Sequence, residues 1–346
     1  MKIFTTVRKV STEVPMSFFN FERFEDQCGD FSLIDARINF KPLLDIKDEK
    51  FVYFEIEEPN RFAVTDPTFR REEYEWCFHK ILTICPYTAE WLNKTQGKNR
   101  REFVFFPFNE NLIPPKREKL YDVVYFGGIH SREILRLVKT ISKFNYRFIA
   151  PSEETSYGVI ANSKIISKIA RKIKKIFFIK APKEKYITDK NIPHLKKLEL
   201  ISQTKVTIVH NLLSFNVAYA RNIQNTPDFK KNGAFEQIPT KNFLRTALHF
   251  FLRKEYLIPQ QKTRLLEAAF CRSLILCRKD PFNFIERFFT PDVDFIYYEE
   301  DKLEEKLKEV LVHYEDYQEI IENAYQKALK EYTTQAFFEK YLKNLT

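Results

Sequence analysis

The chain has 346 residues, of which 44% are hydrophobic and 30% are charged. This is the composition of a globular protein of about two domains, and it excludes an intrinsically disordered chain. Only 6 residues are glycine, which excludes collagen-like repeats and the clustered glycines of a standard dinucleotide-binding fingerprint. The net charge of +10 favours an anionic partner.

The first third of the chain predicts β-strands that alternate with helices. Three runs of strand length are rich in aromatic and β-branched residues: 51–56, 80–85 and 101–107. Residues 86–92 predict a short helix, because a proline stands near its start. The charged segment 111–119 contains prolines and predicts a linker, so residues 1–115 are expected to form an N-terminal domain.

The same alternation restarts after the linker and predicts a second domain over residues 120–325. Its predicted strands are residues 122–126, 146–150, 205–209, 273–277 and 295–298. Residues 216–241, rich in Asn and Gln, predict a long loop, and the residues from 303 onward predict amphipathic helices. Strands that alternate with helices form parallel βαβ units, so the predicted fold class is α/β.

The cysteines and the apolar runs indicate the compartment. The five cysteines are odd in number, form no CxxC pair and stand in or beside apolar stretches, as free thiols in a reducing compartment do. No run approaches the ~20 apolar residues of a membrane span, and residues 1–8 predict a first strand rather than a signal peptide. We therefore expect a cytoplasmic protein. The histidines show no metal-ligand spacing, so no metal site is expected.

The turn after the predicted strand 122–126 is a candidate phosphate site. Gly127 and Gly128 follow this strand, and Arg132 stands at the start of the next predicted helix. Such a turn can direct backbone N–H groups and the positive end of a helix at a phosphate, and Arg132 can add a charge-assisted contact. The alternative is an ordinary strand–helix turn that needs glycine for its backbone dihedral angles.

A second candidate lies in the helix that precedes the predicted strand 273–277. Lys262 and Arg264 stand at or near the start of this helix, before Glu267. In a doubly wound sheet, ligands bind at the carboxyl ends of the strands and near helix N-termini. There the two cations can hold a diphosphate, and the carboxylate can accept hydrogen bonds from ribose hydroxyls. The alternative is a solvated helix with Glu267 in a surface ion pair.

Residues 262–341 resemble the C-terminal part of group 1 glycosyltransferases, in particular the spore-maturation type. The resemblance rests on the run RLLEAA at 264–269, a strand, DP at 280–281, FTPD at 289–292, a second strand and two helices. Residues 122–132 are similar to the opening strand and turn of the same domain. The resemblance implies a GT-B fold, in which two Rossmann-like domains with parallel sheets face each other across a cleft.

The resemblance also implies roles for single residues in donor binding. Glu267 matches the family's glutamate that contacts the donor ribose, and Lys262 and Arg264 are candidates for the diphosphate. Arg272 stands where the family usually has glycine and is itself a candidate phosphate contact. Residues 326–346 are expected to form a helix that packs back on the N-terminal domain, as in the family.

In the family the donor binds mainly to the C-terminal domain and the acceptor mainly to the N-terminal domain. The acceptor side of the cleft needs a general base if the enzyme inverts the anomeric centre. The second acidic residue of many retaining members has no counterpart here, so the motif does not support a retaining mechanism. The candidate bases are Glu57 and Glu58, which end a strand, and His79, which precedes one. The alternatives are a polar turn and a strand boundary. His210 and Asn211 are further candidates for lining the donor site, or else cap the end of their strand.

Residues 164–176 interleave lysines and arginines with isoleucines and predict a basic amphipathic helix. Such a helix either contacts an anionic membrane surface or flanks the cleft with a solvated cationic face. The first alternative makes the protein peripheral at a membrane and suits a lipid-linked acceptor.

The sequence as a whole predicts a metal-independent glycosyltransferase with no cofactor, whose donor substrate is a nucleotide-diphosphate sugar. Cations and helix ends can stabilise a diphosphate leaving group without a metal. The acceptor is expected to be a hydroxyl of a carbohydrate or a lipid-linked molecule. Two alternatives stay open: a fucosyltransferase-like GT-B enzyme with a guanosine donor, and a non-catalytic polyanion binder. Nucleic acid is disfavoured, because the aromatic residues fall mainly in predicted core elements.

Overall fold

The computed structural model describes residues 31–35, 50–55, 78–84, 99–129, 132–150, 183–216, 255–259 and 261–343, with the single positions 86, 89 and 93. Four strands form a first sheet in the order β1-β2-β3-β4: β1 Phe31–Asp35, β2 Lys50–Glu55, β3 Phe78–Thr83 and β4 Arg101–Phe103. Every pairing within this sheet is parallel. The sequence prediction of β2, β3 and β4 is therefore confirmed.

A second sheet is parallel throughout its six strands. These are β5 Tyr121–Phe126, β6 Tyr146–Ala150, β7 Asp189–Lys190, β8 Thr204–Val209, β11 Leu274–Arg278 and β12 Ile296–Tyr298. The remaining strands, β9 Leu212–Asn216 and β10 Glu255–Pro259, form an antiparallel pair. The sequence analysis missed this pair. Of the predicted loop 216–241, only Asn216 lies within the described residues, and it ends β9.

Helices cover both faces of the second sheet. The described helices are α1 Arg132–Ile141, α2 His194–Ser202, α3 Thr263–Phe270, α4 Leu303–Val312, α5 Gln318–Glu331 and α6 Thr334–Phe337, which continues as a π-helical turn over Phe338–Leu342. The apolar sides of α1 and α4 share one buried cluster, with Val138 and Leu307 among its members. Those of α2, α3 and α5 share another, which includes Ile201, Leu265 and Ala328. None of the described helices is both long and apolar enough to span a membrane.

The strand order of the second sheet is β12-β11-β8-β5-β6-β7, and the side on which successive strands are added changes between β5 and β8. From β5 the chain builds outward through β6 and β7, and from β8 it builds the other way through β11 and β12. In an open α/β sheet, this switch point leaves a crevice at the carboxyl ends of the two strands, where ligands bind. Here these ends are Phe126 and Val209.

Aromatic residues connect the two sheets. After β4 the chain runs through Phe105, Phe106 and Phe108, all buried, and the Phe108 ring stacks on Phe270 at 4.3 Å between centroids. From the C-terminal segment, Phe337 packs edge-on against Phe54 of β2, with 5.6 Å between centroids. The end of the chain thus lies against the first sheet.

The segment 111–119, predicted as a linker, is held at its end by Lys119. Its ammonium donates to the backbone carbonyls of Ser202 at 2.8 Å and Arg272 at 2.7 Å. These carbonyls lie just at the C-terminal ends of α2 and α3, where a cation interacts favourably with the helix dipole. Burial lowers the pKa of Lys119 to about 8. The predicted strand 1–8 and the predicted basic helix 164–176 lie outside the described residues.

Candidate active site

The crevice at the switch point brings together residues that are far apart in the sequence. Gly127 follows β5, His210 follows β8, and Arg264 lies in the first turn of α3. Lys262 is the residue that caps the N-terminus of α3, and Gly128 follows Gly127 in the turn. These five belong to the predicted donor-binding residues, and the strand order explains their meeting.

The Arg264 side chain packs against Gly127 of the turn and against two aromatic rings. Gly127 has φ +139°, and a Cβ added there would lie 2.7 Å from Nη2 of Arg264. The guanidinium carbon is 4.9 Å from the centre of the Tyr125 ring and 5.7 Å from that of Phe126. Nη1 is buried and has no hydrogen-bond partner among the described residues. The guanidinium is thus held by stacking, which leaves its hydrogen-bond donors for an anion.

His210 lies in a region of positive electrostatic potential. The imidazole Nε2 lies 3.1 Å from the Tyr125 hydroxyl. Burial lowers the pKa of His210 well below its usual value, and the nearby cations Arg264, Lys262 and Arg278 lower it further. At neutral pH the imidazole is therefore neutral. Such a concentration of positive charge at a crevice favours anions.

Arg278 ends β11 on the same side of the crevice as His210. It is paired with acidic groups from two elements, with Nη1 3.0 Å from Glu133 and Nη2 2.6 Å from Glu300. An open cleft of about 1020 Å³ adjoins His210 and Arg278 and is bounded by α1 and the end of β12. His210 and Arg278 therefore border a space of the size that small-molecule sites have.

Glu267 lies one turn further along α3 and is buried. Its Oε1 accepts a hydrogen bond of 2.7 Å from Lys197 Nζ, on α2, and lies 4.0 Å from Nε2 of His194. Its Oε2 has no hydrogen-bond partner among the described residues. The alternative of a surface ion pair is excluded, because the Glu267 side chain is only 2% exposed.

The structure does not bring Arg272 to the crevice, which corrects the expectation of a phosphate contact. Arg272 lies beyond the opposite end of α3 from Lys262, with φ +47°. This left-handed conformation is the one that glycine commonly takes after a helix. The guanidinium stacks on Tyr325, 3.4 Å from the ring centre, and its Nε is 3.2 Å from Glu322. The side chain thus binds α5 instead of pointing at the switch point.

His79 and Asn211 occupy different positions in their sheets. His79 is exposed near the amino end of β3, and the four residues to the carboxyl end at Thr83 span ~13 Å of strand. A base for the acceptor is expected at the carboxyl end, so this position disfavours His79 as the base. Asn211 is fully buried, and its amide lies 3.8 Å from Cys277 Sγ. Glu57, Glu58 and the Arg132 side chain lie outside the described residues.

Sequence reasoning missed three members of the site: Tyr125, Lys197 and Arg278. Arg278 ends β11 after four apolar residues, so the rule that ligands bind at strand carboxyl ends could have found it. Tyr125 is hidden inside an apolar strand, and Lys197 in an ordinary charged helix. Among the described residues, no group of three or more His, Cys, Asp or Glu side chains is arranged to hold a metal ion.

The lowered pKa of His210 predicts acid sensitivity. Between its folded pKa and the unfolded value near 6.5, the unfolded chain binds more protons, so stability falls as pH falls through this window. One such group contributes a slope of at most ~1.4 kcal/mol per pH unit. We expect His210→Gln to flatten the decline in unfolding free energy below pH 6.5, measured by urea titration at several pH values. His194, whose pKa burial also lowers, keeps its own contribution. An identical pH profile for the variant would contradict this assignment.

Residues 242–343 match the family model described as glycosyl transferase-like. No curated protein sequence matches the chain. Among solved structures, Anabaena HepE in complex with UDP and glucose has a TM-score of 0.53 at 11% identity, over 90% of this chain and 77% of that chain.

Two further structures share the architecture. A variant of S. aureus TarM, in complex with fondaparinux, α-GlcNAc-glycerol and UDP, has a TM-score of 0.51 at 11% identity, over 94% of this chain and 57% of that chain. Sucrose-phosphate synthase from Thermosynechococcus elongatus has a TM-score of 0.50 at 9% identity, over 91% of this chain and 73% of that chain.

The fold and the family match together define the class. Two parallel sheets, the second with its crevice at a switch point, make this chain an α/β protein with the GT-B fold. The matched segment 242–343, which includes α3 and its Glu267, covers less than a third of the chain and is similar to glycosyl transferase-like proteins. The resemblance noted on the sequence is thereby confirmed, and with it the prediction of a glycosyltransferase enzyme.

Proposed function

We propose that this glycosyltransferase moves a sugar from a nucleotide-diphosphate sugar to a hydroxyl of a glycan or a lipid-linked acceptor. The observation that carries the proposal is the Arg264 guanidinium, which lies against Gly127 and over the Tyr125 ring at the switch point, with no carboxylate partner among the described residues. Lys262 adds a second cation at the start of α3. The UDP in the HepE and TarM complexes agrees with a nucleotide donor.

The chemistry of the transfer suits these residues. As the glycosidic bond to the donor phosphate breaks, negative charge builds up on the leaving diphosphate. Arg264, Lys262 and the N–H groups at the start of α3 stabilise this charge in the transition state, with no metal required. Glu267 accepts a hydrogen bond from the ribose, which fixes the position of the nucleotide. Glu57 and Glu58, which follow β2 in the sequence, are our candidates for the base that deprotonates the acceptor hydroxyl.

The compartment follows from the same scheme. We place the enzyme in the cytoplasm, where nucleotide sugars and reduced cysteines coexist, with peripheral contact to an anionic membrane through residues 164–176. This contact would bring the enzyme to a lipid-linked acceptor. The positive charge is concentrated around one crevice, which suits a nucleotide better than an extended polyanion.

Thermal stabilisation by nucleotides tests the proposal. We expect one of UDP, GDP and ADP, at 100 times its dissociation constant, to stabilise the wild-type fold by about 2.7 kcal/mol, with the same shift in EDTA. Glu267→Ala should fold and show a smaller shift at the same concentration. Preference for GDP would favour the fucosyltransferase-like alternative. No shift with any nucleotide, together with salt-sensitive binding to nucleic acid, would favour a polyanion binder instead.

A further inference from the structure

Glu267 and Lys197 form an ion pair next to the switch point. Lys197 Nζ donates to Glu267 Oε1 at 2.7 Å, and the side chains are 19% and 2% exposed, respectively. The same ammonium lies 4.8 Å from the centre of the Phe126 ring. Phe126 is the last residue of β5 before Gly127, so the pair lies next to the residues that contact Arg264. The sequence analysis assigned no function to Lys197.

The pair leaves one acceptor unused. Glu267 Oε2 is buried and receives no hydrogen bond from any described residue. The neighbouring Nε2 of His194 is likewise without a described partner, and burial lowers the pKa of His194, so it adds no second cation at neutral pH. A buried carboxylate oxygen without a donor is costly, and such groups in native proteins call for an explanation. A ligand with a hydrogen-bond donor at this position would explain the unpaired oxygen.

A ribose hydroxyl has the chemistry that matches this pair. A hydroxyl both donates and accepts, and the pair offers an N–H donor beside a free carboxylate oxygen. We propose that Lys197 is a specificity-determining residue of the donor site: its Nζ donates to a ribose hydroxyl, which in turn donates to Glu267 Oε2. The inference rests on the proposed function, because it takes the ligand to be a nucleotide. Lys197 is the more exposed partner, so the ligand meets the pair from the lysine side.

The pair therefore selects ribose over deoxyribose. An analogue with hydrogen in place of the hydroxyl leaves Oε2 without a donor and deprives Nζ of its second acceptor beside Oε1. Sites built to bind a hydroxyl reject such analogues strongly. We expect wild-type protein to bind UDP, GDP or ADP at least ~10-fold more tightly than the 2′-deoxy or the 3′-deoxy form of the same diphosphate. The measurement is the ratio of dissociation constants by isothermal titration calorimetry.

Three variants isolate Lys197. Lys197→Met should reduce the ratio to below about threefold, and Lys197→Met/Glu267→Gln, which removes both charges of the pair, should lower it no further because the residues act as one unit. The matched control is Lys196→Met on the same helix, since Lys196 is half exposed and pairs with Glu199 at 2.9 Å. Its ratio should equal that of the wild type. The double variant also serves if Lys197→Met alone does not fold.

The outcomes separate this inference from the proposed function. If wild type binds a nucleoside diphosphate without preferring ribose, or if Lys197→Met and the double variant keep the preference, Lys197 has no role in selection, although the nucleotide site stands. If wild type binds none of the three diphosphates, the proposed function itself is wrong. A ratio that collapses in Lys197→Met and stays intact in Lys196→Met supports the inference, because a purely structural defect would weaken both nucleotide forms equally.

Discussion

Replacing Arg264 with methionine is expected to weaken the binding of a nucleoside diphosphate by about 100-fold. A hydrogen bond to a charged group contributes about 1.5–3 kcal/mol, and each 1.4 kcal/mol is a factor of ten in affinity. The guanidinium lies over the Tyr125 ring with Nη1 unpaired among the described residues, so binding need not break an existing ion pair. Methionine retains much of the contact with the rings. The fold should therefore persist, and calorimetric titration with UDP, GDP and ADP measures the loss.

Arg272→Gln is the matched comparison for this variant. Both arginines flank α3, but Arg272 is bound to Glu322 and Tyr325 beyond its far end. We expect Arg272→Gln to leave nucleotide affinity within about twofold of wild type. The variant loses a positive charge beyond the far end of α3, and salt screens the effect of that charge on the crevice. If instead Arg272→Gln weakens binding as much as Arg264→Met does, the placement inferred from the sequence resemblance was right and the one described here is wrong.

The parallel sheets could be predicted from the sequence because their strands carry a local signal. Residues 123–126 and 274–277 are buried without interruption, and a strand covered on both faces must be apolar along its whole length. The same strands locate the candidate site. Once parallel order is assumed, Gly127, His210 and Arg264 must converge at the carboxyl edge, whatever their separation along the chain.

Contacts between distant elements could not be predicted in this way. Lys197 and Glu267 are 70 residues apart, and neither position carries a pattern that names the other. The backbone at Arg272 misled the analysis for a different reason: the left-handed conformation that favours glycine was retained, while the arginine side chain turned toward α5. Loss of the family's glycine thus says little about phosphate contact. The β9–β10 pair was missed because its strands are separated by residues of loop-like composition.

The attachment of the C-terminal segment to the first sheet carries the largest expected effect on stability. Phe337 is fully buried, with ring centroids 5.6 Å from Phe54, 5.4 Å from Phe105 and 5.1 Å from Tyr341. Truncating a buried phenylalanine removes its transfer free energy and leaves a cavity, which together cost about 3–5 kcal/mol. We expect Phe337→Ala to lower the unfolding free energy by this amount in urea titration.

Val312→Ala provides the comparison, since Val312 is 76% exposed and its truncation should change the unfolding free energy by less than about 0.5 kcal/mol. The two sheets share one buried cluster through Phe105 and Phe337. Phe337→Ala should therefore also reduce the cooperativity with which the two sheets unfold. We then expect probes of the two sheets to give separate unfolding midpoints in the variant and coincident midpoints in the wild type. A Phe337→Ala protein as stable as Val312→Ala would mean that the C-terminal segment does not hold the first sheet.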